Sequence, residues 1–318
     1  MVRGEKFRKA TIELRVATVP TVNGESAVLR ILAAGNALPM EKLALSESNF
    51  DMVVESCKKP HGLLLVVGPT GSGKTTTLHA VLGHINKPNK KIWTAEDPVE
   101  ITQPGLQQVQ VQPKIGFTFA DAMRAFLRAD PDVILIGEMR DKETASIGVE
   151  ASLTGHLVLS TLHTNSAPET ITRLLDLGLD PVNFSDALLG VLAQRLMRTL
   201  CVDCKEAYYP EEKEINHLID QYGREQFSEL DVDPANVELF RATGCDSCGG
   251  LGYRGRVGIH EFLPGTQSLQ SLIYRKGTAD EILEQALSDG MRTLKQDGIA
   301  KIFMGLSDYS QLLNVTAE

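Results

Sequence analysis

The chain has 318 residues, room for about two domains. With 42% hydrophobic and 23% charged residues, it has the balance of a folded globular protein and not of a disordered one. A net charge of −9 and an aromatic content of 5% argue against bulk attraction to DNA, RNA or anionic lipid and against base stacking, so no nucleic-acid partner is expected.

No apolar run approaches the roughly 20 residues that span a bilayer, and the first residues lack the apolar core of a signal peptide. The cytoplasm is the expected compartment, and it would keep the five cysteines reduced.

Residues 5–33 read as strands that turn at Asn23-Gly24, too few to make a stable sheet alone. A connector with one helix after Ser46 follows, up to Pro60. From His61 strands alternate with helices. LLLVV (63–67), KIWTA (91–95), VQVQ (109–112), VILI (133–136) and HLVLSTL (156–162) are the strands. Helices fit 74–85, 119–128, 142–153 and 167–176. Apolar strands without alternation predict an α/β fold with a sheet covered on both faces. After Pro181 the chain is expected to be mainly helical, interrupted by a cysteine-bearing region from Cys201 to about Phe262. The acids from Glu211 to Glu214 read as a solvated helix face.

Gly68-Pro69-Thr70-Gly71-Ser72-Gly73-Lys74-Thr75 fits G-x-x-x-x-G-K-[ST] at every position, after a predicted strand and before a predicted helix. Glycines let backbone N–H groups turn inward around phosphate oxygens, and the helix N-terminus adds partial positive charge. Together with Thr76, these residues are the candidate nucleotide-binding set. Lys74 can reach the β- and γ-phosphates, and the Thr75 hydroxyl can bind Mg²⁺. ATP and Mg²⁺ are thus the expected ligands.

Hydrolysis also needs a group that activates water, and carboxylates at strand ends are the candidates. Glu96, Asp97 and Glu100 follow KIWTA, where Pro98 keeps the segment from being helical. Glu138 follows VILI, in the place where an Asp is commoner. His156 and His163, seven positions apart, would lie on opposite faces of a regular strand. His163, at the strand exit, is the better placed to touch a γ-phosphate.

Cys201-Val-Asp-Cys204 and Cys245-Asp-Ser-Cys248 form two C-x-x-C units with 40 residues between them. Four thiolates in two tight pairs suit a closed, structural tetrahedral Zn²⁺ site. Redox chemistry is the alternative, although neither pair follows a βαβ start. Cys57 is left over as a small core residue.

Four ordered boxes then point to a family. GPTGSGKTTTL, TAEDPVE, LRADPDVILIGEMRD and TGHLVLSTLHTN, with VLAQRLMRTLC, the cysteine pairs and GYRGRVGIHEF, resemble the type II secretion and type IV pilus assembly ATPases, from about Leu14 to at least Phe262. The resemblance implies a RecA-like P-loop ATPase core at 61–200. Before it would come the C-terminal part of a PAS-like domain (1–36) and a linker (37–60). After it would come a zinc-binding subdomain (201–262) and a C-terminal helical region (263–318). It implies that Glu100 orients the attacking water, that Glu138 is the Walker B glutamate, and that His156 and His163 form the His box. Arg15 and Arg30 match arginines of the preceding domain that point at the phosphates, and Arg124 and Arg128 a second basic pair. The family's assembly ATPases carry a whole PAS-like domain before RVATVPT, so the chain is expected to begin inside it.

The implied activity is ATP hydrolysis to ADP and phosphate, powering pseudopilus or type IV pilus assembly. The implied partners are copies of the chain in a hexamer, an inner-membrane platform protein and cytoplasmic domains of the machinery. These would hold the chain peripherally at the inner membrane. The alternatives are a pilus retraction ATPase, which generally lacks the tetracysteine insert, and a DNA-uptake or DNA-transfer motor.

Overall fold

The computed structural model describes residues 13–32 and 37–316, and at 13–15 and 30–32 the backbone alone. Strands β1 (Glu13–Thr21) and β2 (Gly24–Leu32) form an antiparallel hairpin that pairs Arg15 with Arg30. Helix α1 (Glu47–Lys58) is N-capped by Ser46. Then follow β3 (Gly62–Val67), α2 (Lys74–Ile85), β4 (Ile92–Glu96), β5 (Leu106–Gln110), α3 (Phe119–Phe126), β6 (Val133–Ile136), α4 (Lys142–Leu153), β7 (Leu157–Leu162), α5 (Ala167–Asp176) and α6 (Pro181–Ala187). The chain continues as β8 (Leu188–Leu200), β9 (Glu206–Tyr208), α7 (Glu212–Tyr222), α8 (Arg224–Phe227), β10 (Leu239–Arg241), β11 (Tyr253–Pro264), α9 (Gln267–Tyr274), α10 (Ala279–Ser288), α11 (Leu294–Phe303) and α12 (Tyr309–Thr316).

The central sheet has seven strands in the order β11-β8-β3-β7-β6-β4-β5, all parallel except the β11 edge. Every residue of β3, β6 and β7 is buried, as the apolar runs LLLVV, VILI and LVL require, and Ser160 and Thr161 of β7 are buried with them. One face packs Leu63, Leu65 and Ile134 against α3 to α6, α9 and α10. The other packs Leu64, Val66 and Leu159 against α1 and α2. Each fully buried Leu or Ile contributes about 1.5–3 kcal/mol. A third core, around Met197, Leu218 and Ile299, joins the distal parts of β8 and β11 to α7 and α11.

The region after Pro181 departs from the helical expectation. Leu188–Leu200 is a strand of 13 residues, and Tyr253–Pro264 is its antiparallel partner. The composition of VLAQRLMRTL suits a helix, but pairing to β3 on one side and β11 on the other overrides that propensity. Gly190 makes the close approach feasible: a Cβ there would lie 2.4 Å from Phe262 Cζ. The strand read at 109–112 is found at Leu106–Gln110. β11 runs from the cysteine region into the central sheet, across position 262.

β8 outlasts its neighbour. β3 ends at Val67, paired with Ala193, and the glycine-rich loop begins there, while β8 continues to Leu200 and delivers Cys201. One strand therefore flanks the loop and ends at the cysteine cluster.

Candidate nucleotide and metal sites

The loop after β3 folds back under α2. Gly71 (φ +82°) and Gly73 (φ +88°) adopt left-handed backbone that other residues enter only with strain. A Cβ on Gly71 would meet nothing, so its peptide faces open space. A Cβ on Gly68 would lie 2.3 Å from the Gln194 carbonyl, so the loop's first residue must be bare for β8 to pass. Gln194 Nε2 donates to the Ser72 carbonyl at 2.6 Å and fixes the loop from behind. Helices α1, α3, α4 and α5 each have a side-chain cap, whereas α2, capped by Gly73, has none. Its first N–H groups are left to a ligand.

These groups border a cavity of about 550 Å³, within the range of small-molecule sites. Thr70, Gly71, Gly73, Lys74, Thr75 and Thr76 line it, while Gly68, Pro69 and Ser72 do not. The Lys74 ammonium donates to the carbonyls of Gly68 (2.7 Å) and Pro69 (3.0 Å) and lies 3.4 Å from His163 Nδ1. Burial lowers its pKa, and the charge of Glu138 works in the opposite direction.

The strand-end acids arrive from β4 and β6. Glu138 lines the cavity, accepts from Arg140 Nε at 2.7 Å and lies 3.3 Å from His163 Nε2. Glu100 and Asp97 also line it. Glu96 is buried at the end of β4, where one oxygen accepts from Thr94 (2.6 Å) and Gln108 (3.0 Å) and the other meets His79 Nε2 (3.0 Å). Burial pushes its pKa up, but these hydrogen bonds outweigh it and hold the carboxylate below its ordinary 4.5.

His163 is brought to the site and His156 is not: His156 Nδ1 contacts the Ala151 carbonyl at 2.9 Å, at the other end of β7. Arg124 pairs with Asp121 and Glu143 on the surface, and neither it nor Arg128 lines the cavity. The side chains of Arg15 and Arg30 lie outside the described residues. The Cys57 thiol, pushed up to about 12 by burial, packs against the α1 face of the sheet.

Sequence reasoning missed several residues here. Arg140 and Arg256 line the cavity, Arg256 from β11. Gln194 and His79 act from neighbouring elements. Arg256 lay in the GYRGR segment, but only the β8–β11 pairing shows that it reaches the loop.

At the far end of β8 the four cysteine sulfurs lie within 4.8 Å of one another. Cys201–Cys245 and Cys204–Cys248 are 3.9 Å apart, and Cys245–Cys248 3.8 Å. A tetrahedron of Zn–S bonds of about 2.3 Å has edges of about 3.8 Å, so the donor set fits Zn²⁺ in both chemistry and size. The Cys248 thiol is drawn down to about 6, first by the N–H of Cys245 and then, against burial, by that of Gly252. Cys201 is pushed up to about 11: the Asp203 N–H favours its thiolate, but burial and the sulfurs of Cys204 and Cys245 outweigh it. The insert is tied down by Lys205, which donates to Gly305 O at 2.8 Å and sits 4.2 Å over the Phe240 ring.

Among the described residues, no helix is long and apolar enough to cross a membrane.

The chain is 46% identical over 309 residues to type II secretion system protein E of Pseudomonas aeruginosa, covering 96% of this chain and 59% of that protein. It is 44% identical over 316 residues to the type IV pilus assembly ATPase PilB of Thermus thermophilus, covering 98% and 34%. It thus spans about a third to three fifths of these relatives' lengths. The crystal structure of the pilus retraction motor PilT with bound ADP superposes with a TM-score of 0.67 at 28% identity, covering 96% of this chain and 74% of that one. The Legionella pneumophila ATPase DotB shares the fold, with a TM-score of 0.69 at 21% identity over 99% and 75%. The model of the family described as type II/IV secretion system protein matches residues 5–314. With loop, strand-end acids and cysteine cluster all inside that match, the chain belongs to the type II/IV secretion system protein family.

Proposed function

We propose that the chain is an ATP-hydrolysing motor subunit of a pseudopilus or type IV pilus assembly machine. The observation that carries this reading is the convergence of Lys74, Thr75, Glu100, Glu138 and His163 on one cavity at an uncapped helix N-terminus. The backbone of Gly71–Thr76 cradles the phosphates, and Lys74 leaves the Gly68 and Pro69 carbonyls to pair with the β- and γ-oxygens. Thr75 and Glu138 are hard oxygen donors that would hold Mg²⁺, which neutralises phosphate charge when bound. Glu100 orients a water and takes its proton as oxygen attacks the γ-phosphorus. The bond to the β–γ bridging oxygen breaks, and ADP and phosphate leave. His163, between Lys74 and Glu138, registers the γ-phosphate.

Arg15 and Arg30, on the β1–β2 hairpin, would complete the charge of the transition state when the hairpin closes on a site, in the same chain or a neighbour. A site shared in this way gives the chain a reason to assemble as a ring, and a hexamer is the form we propose. An inner-membrane platform protein and cytoplasmic domains of the machinery would receive the motion and hold the motor at the cytoplasmic face of the membrane. The domain division read from the sequence remains the working one, with β11 shared between insert and core.

A retraction motor is the second reading, favoured by the likeness to PilT. The cysteine cluster weighs for assembly. ATP turnover by the wild type, Lys74→Ala and Glu100→Gln tests the site, and undiminished turnover in both variants would falsify it. Metal analysis separates the two motors: one zinc per chain supports assembly, and free thiols without metal support retraction.

A further inference from the structure

The edge strand β5 reads LQQVQ, far more polar than the central strands β3 and β6, which read GLLLVV and VILI. Gln108 and Gln110 share one face of it, the face toward α2. Both side chains leave the strand and bind the loop that follows β4. Gln108 Nε2 donates to the Ile101 carbonyl at 2.8 Å and to Glu96 Oε1 at 3.0 Å, while its Oε1 accepts from Gln103 N at 2.8 Å. Gln110 Oε1 accepts from Val99 N at 3.3 Å. Gln103 in turn donates from Nε2 to His79 Nδ1 (2.8 Å) and to the His79 carbonyl (2.9 Å) on α2.

The residue between these anchors is Glu100. The N–H of the residue before it, Val99, is held by Gln110, and the carbonyl of the residue after it, Ile101, by Gln108. The loop's base is tied to the buried Glu96, and its far end to the phosphate-loop helix. Among the described residues, Glu100 itself has no side-chain hydrogen bond that could fix its carboxylate, so its place in the cavity is set by its backbone.

We propose that Gln108 and Gln110 are positioning residues for Glu100, acting on the rate of the chemical step and not on nucleotide binding. The inference rests on the hydrolytic reading of Glu100. A glutamine suits the task because its amide both donates and accepts: Gln108 satisfies a carbonyl, a carboxylate and an N–H at once. A Leu there would release all three contacts, and a displacement of about 1 Å at the water-orienting group costs about 10²-fold in rate.

The test is steady-state ATPase and binding of a non-hydrolysable ATP analogue, using the full chain. Gln108→Leu should lower kcat about 10²-fold with analogue affinity unchanged within about threefold, and should cause no further loss in a Glu100→Gln background. Gln110→Leu removes one long contact and should lower kcat by less, again without loss of affinity. Gln107→Leu, at an exposed residue whose side chain lies on the opposite face of β5, should leave both parameters alone. If Gln108→Leu does not fold, Gln110→Leu and Gln108→Asn carry the same test. Unchanged kcat in these variants, parallel loss of affinity, or losses that multiply in the Glu100→Gln background would overturn the proposal. If Glu100→Gln itself keeps full turnover, the hydrolytic reading of Glu100 fails, independently of what the glutamines do.

Discussion

The phosphate loop and the cysteine cluster are two sites at opposite ends of the same stretch of β8, built from opposite materials. The loop is made of backbone: bare glycines and a helix end without a side-chain cap, with one charged side chain. The cluster is made of four side-chain sulfurs at 3.8–3.9 Å, brought together from two pairs. A backbone site tolerates open access, because its donors are fixed by the chain path. A side-chain site needs an ion to hold its like-charged donors together. The first is therefore suited to turnover and the second to staying shut.

Removing the Zn²⁺ that this donor set would hold should have the largest effect. Structural zinc sites with thiolate ligands supply about 10–16 kcal/mol of apparent binding energy, most of it spent on folding. Chelation, or Cys248→Ser, should unfold the insert between β8 and β11, read as lost protection of residues 201–252 in hydrogen exchange. Metal binds the thiolate form of cysteine, so protons should compete for the four sulfurs and metal affinity should fall steadily as pH drops. Full protection in metal-free protein would show that the cluster is self-supporting, and the contrast with the loop would disappear. The next largest effect belongs to Lys74→Ala, expected to cost at least about 10²–10³ in kcat with no change in zinc content, measured by turnover and metal analysis together.

The difference between the two sites also decides how much could be read from the sequence. The loop is eight consecutive residues, and each C-x-x-C pair is four, so local spacing reveals both. The strands β3, β6 and β7 announce themselves as buried apolar runs. β8 does not: Ala193, Gln194, Arg195 and Leu196 are residues of a good helix, and only the partners on either side make them a strand. With β8 hidden, Gln194 behind the loop and Arg256 beside it could not be assigned. His79 and Glu96, 17 residues apart, give no local signal, because their meeting depends on α2 lying over β4.

That buried pair offers a finer test of what fixes the acid loop. Glu96 has a folded pKa below 4.5, so its contribution to stability is present above 4.5 and lost as pH falls through the folded value. Glu96→Gln should cost about 1.5–3 kcal/mol at neutral pH, the worth of hydrogen bonds to a charged group. The gap between wild type and variant, measured by urea unfolding over a pH series, should close on acidification. A gap that stays constant would mean that the carboxylate is not ionised in the folded protein.

The smallest expected effect bears directly on the idea that the loop is a backbone site. Gln194 touches the loop without touching a phosphate. Its Nε2 holds the Ser72 carbonyl, its own carbonyl excludes any side chain at position 68, and its Oε1 is buried without a partner among the described residues. Gln194→Leu keeps the bulk, strands the Ser72 carbonyl and removes the orphaned oxygen. The first change costs about 1–3 kcal/mol and the second returns part of it, leaving a net loss near 1 kcal/mol. If the loop's shape is what binds phosphate, that loss should appear as a rise of about fivefold in nucleotide Kd. Zinc content should stay the same, since Cys201 lies beyond the altered position on β8. A Kd that does not move, with stability reduced, would mean that the glycines alone hold the cradle and that β8 serves only as its wall.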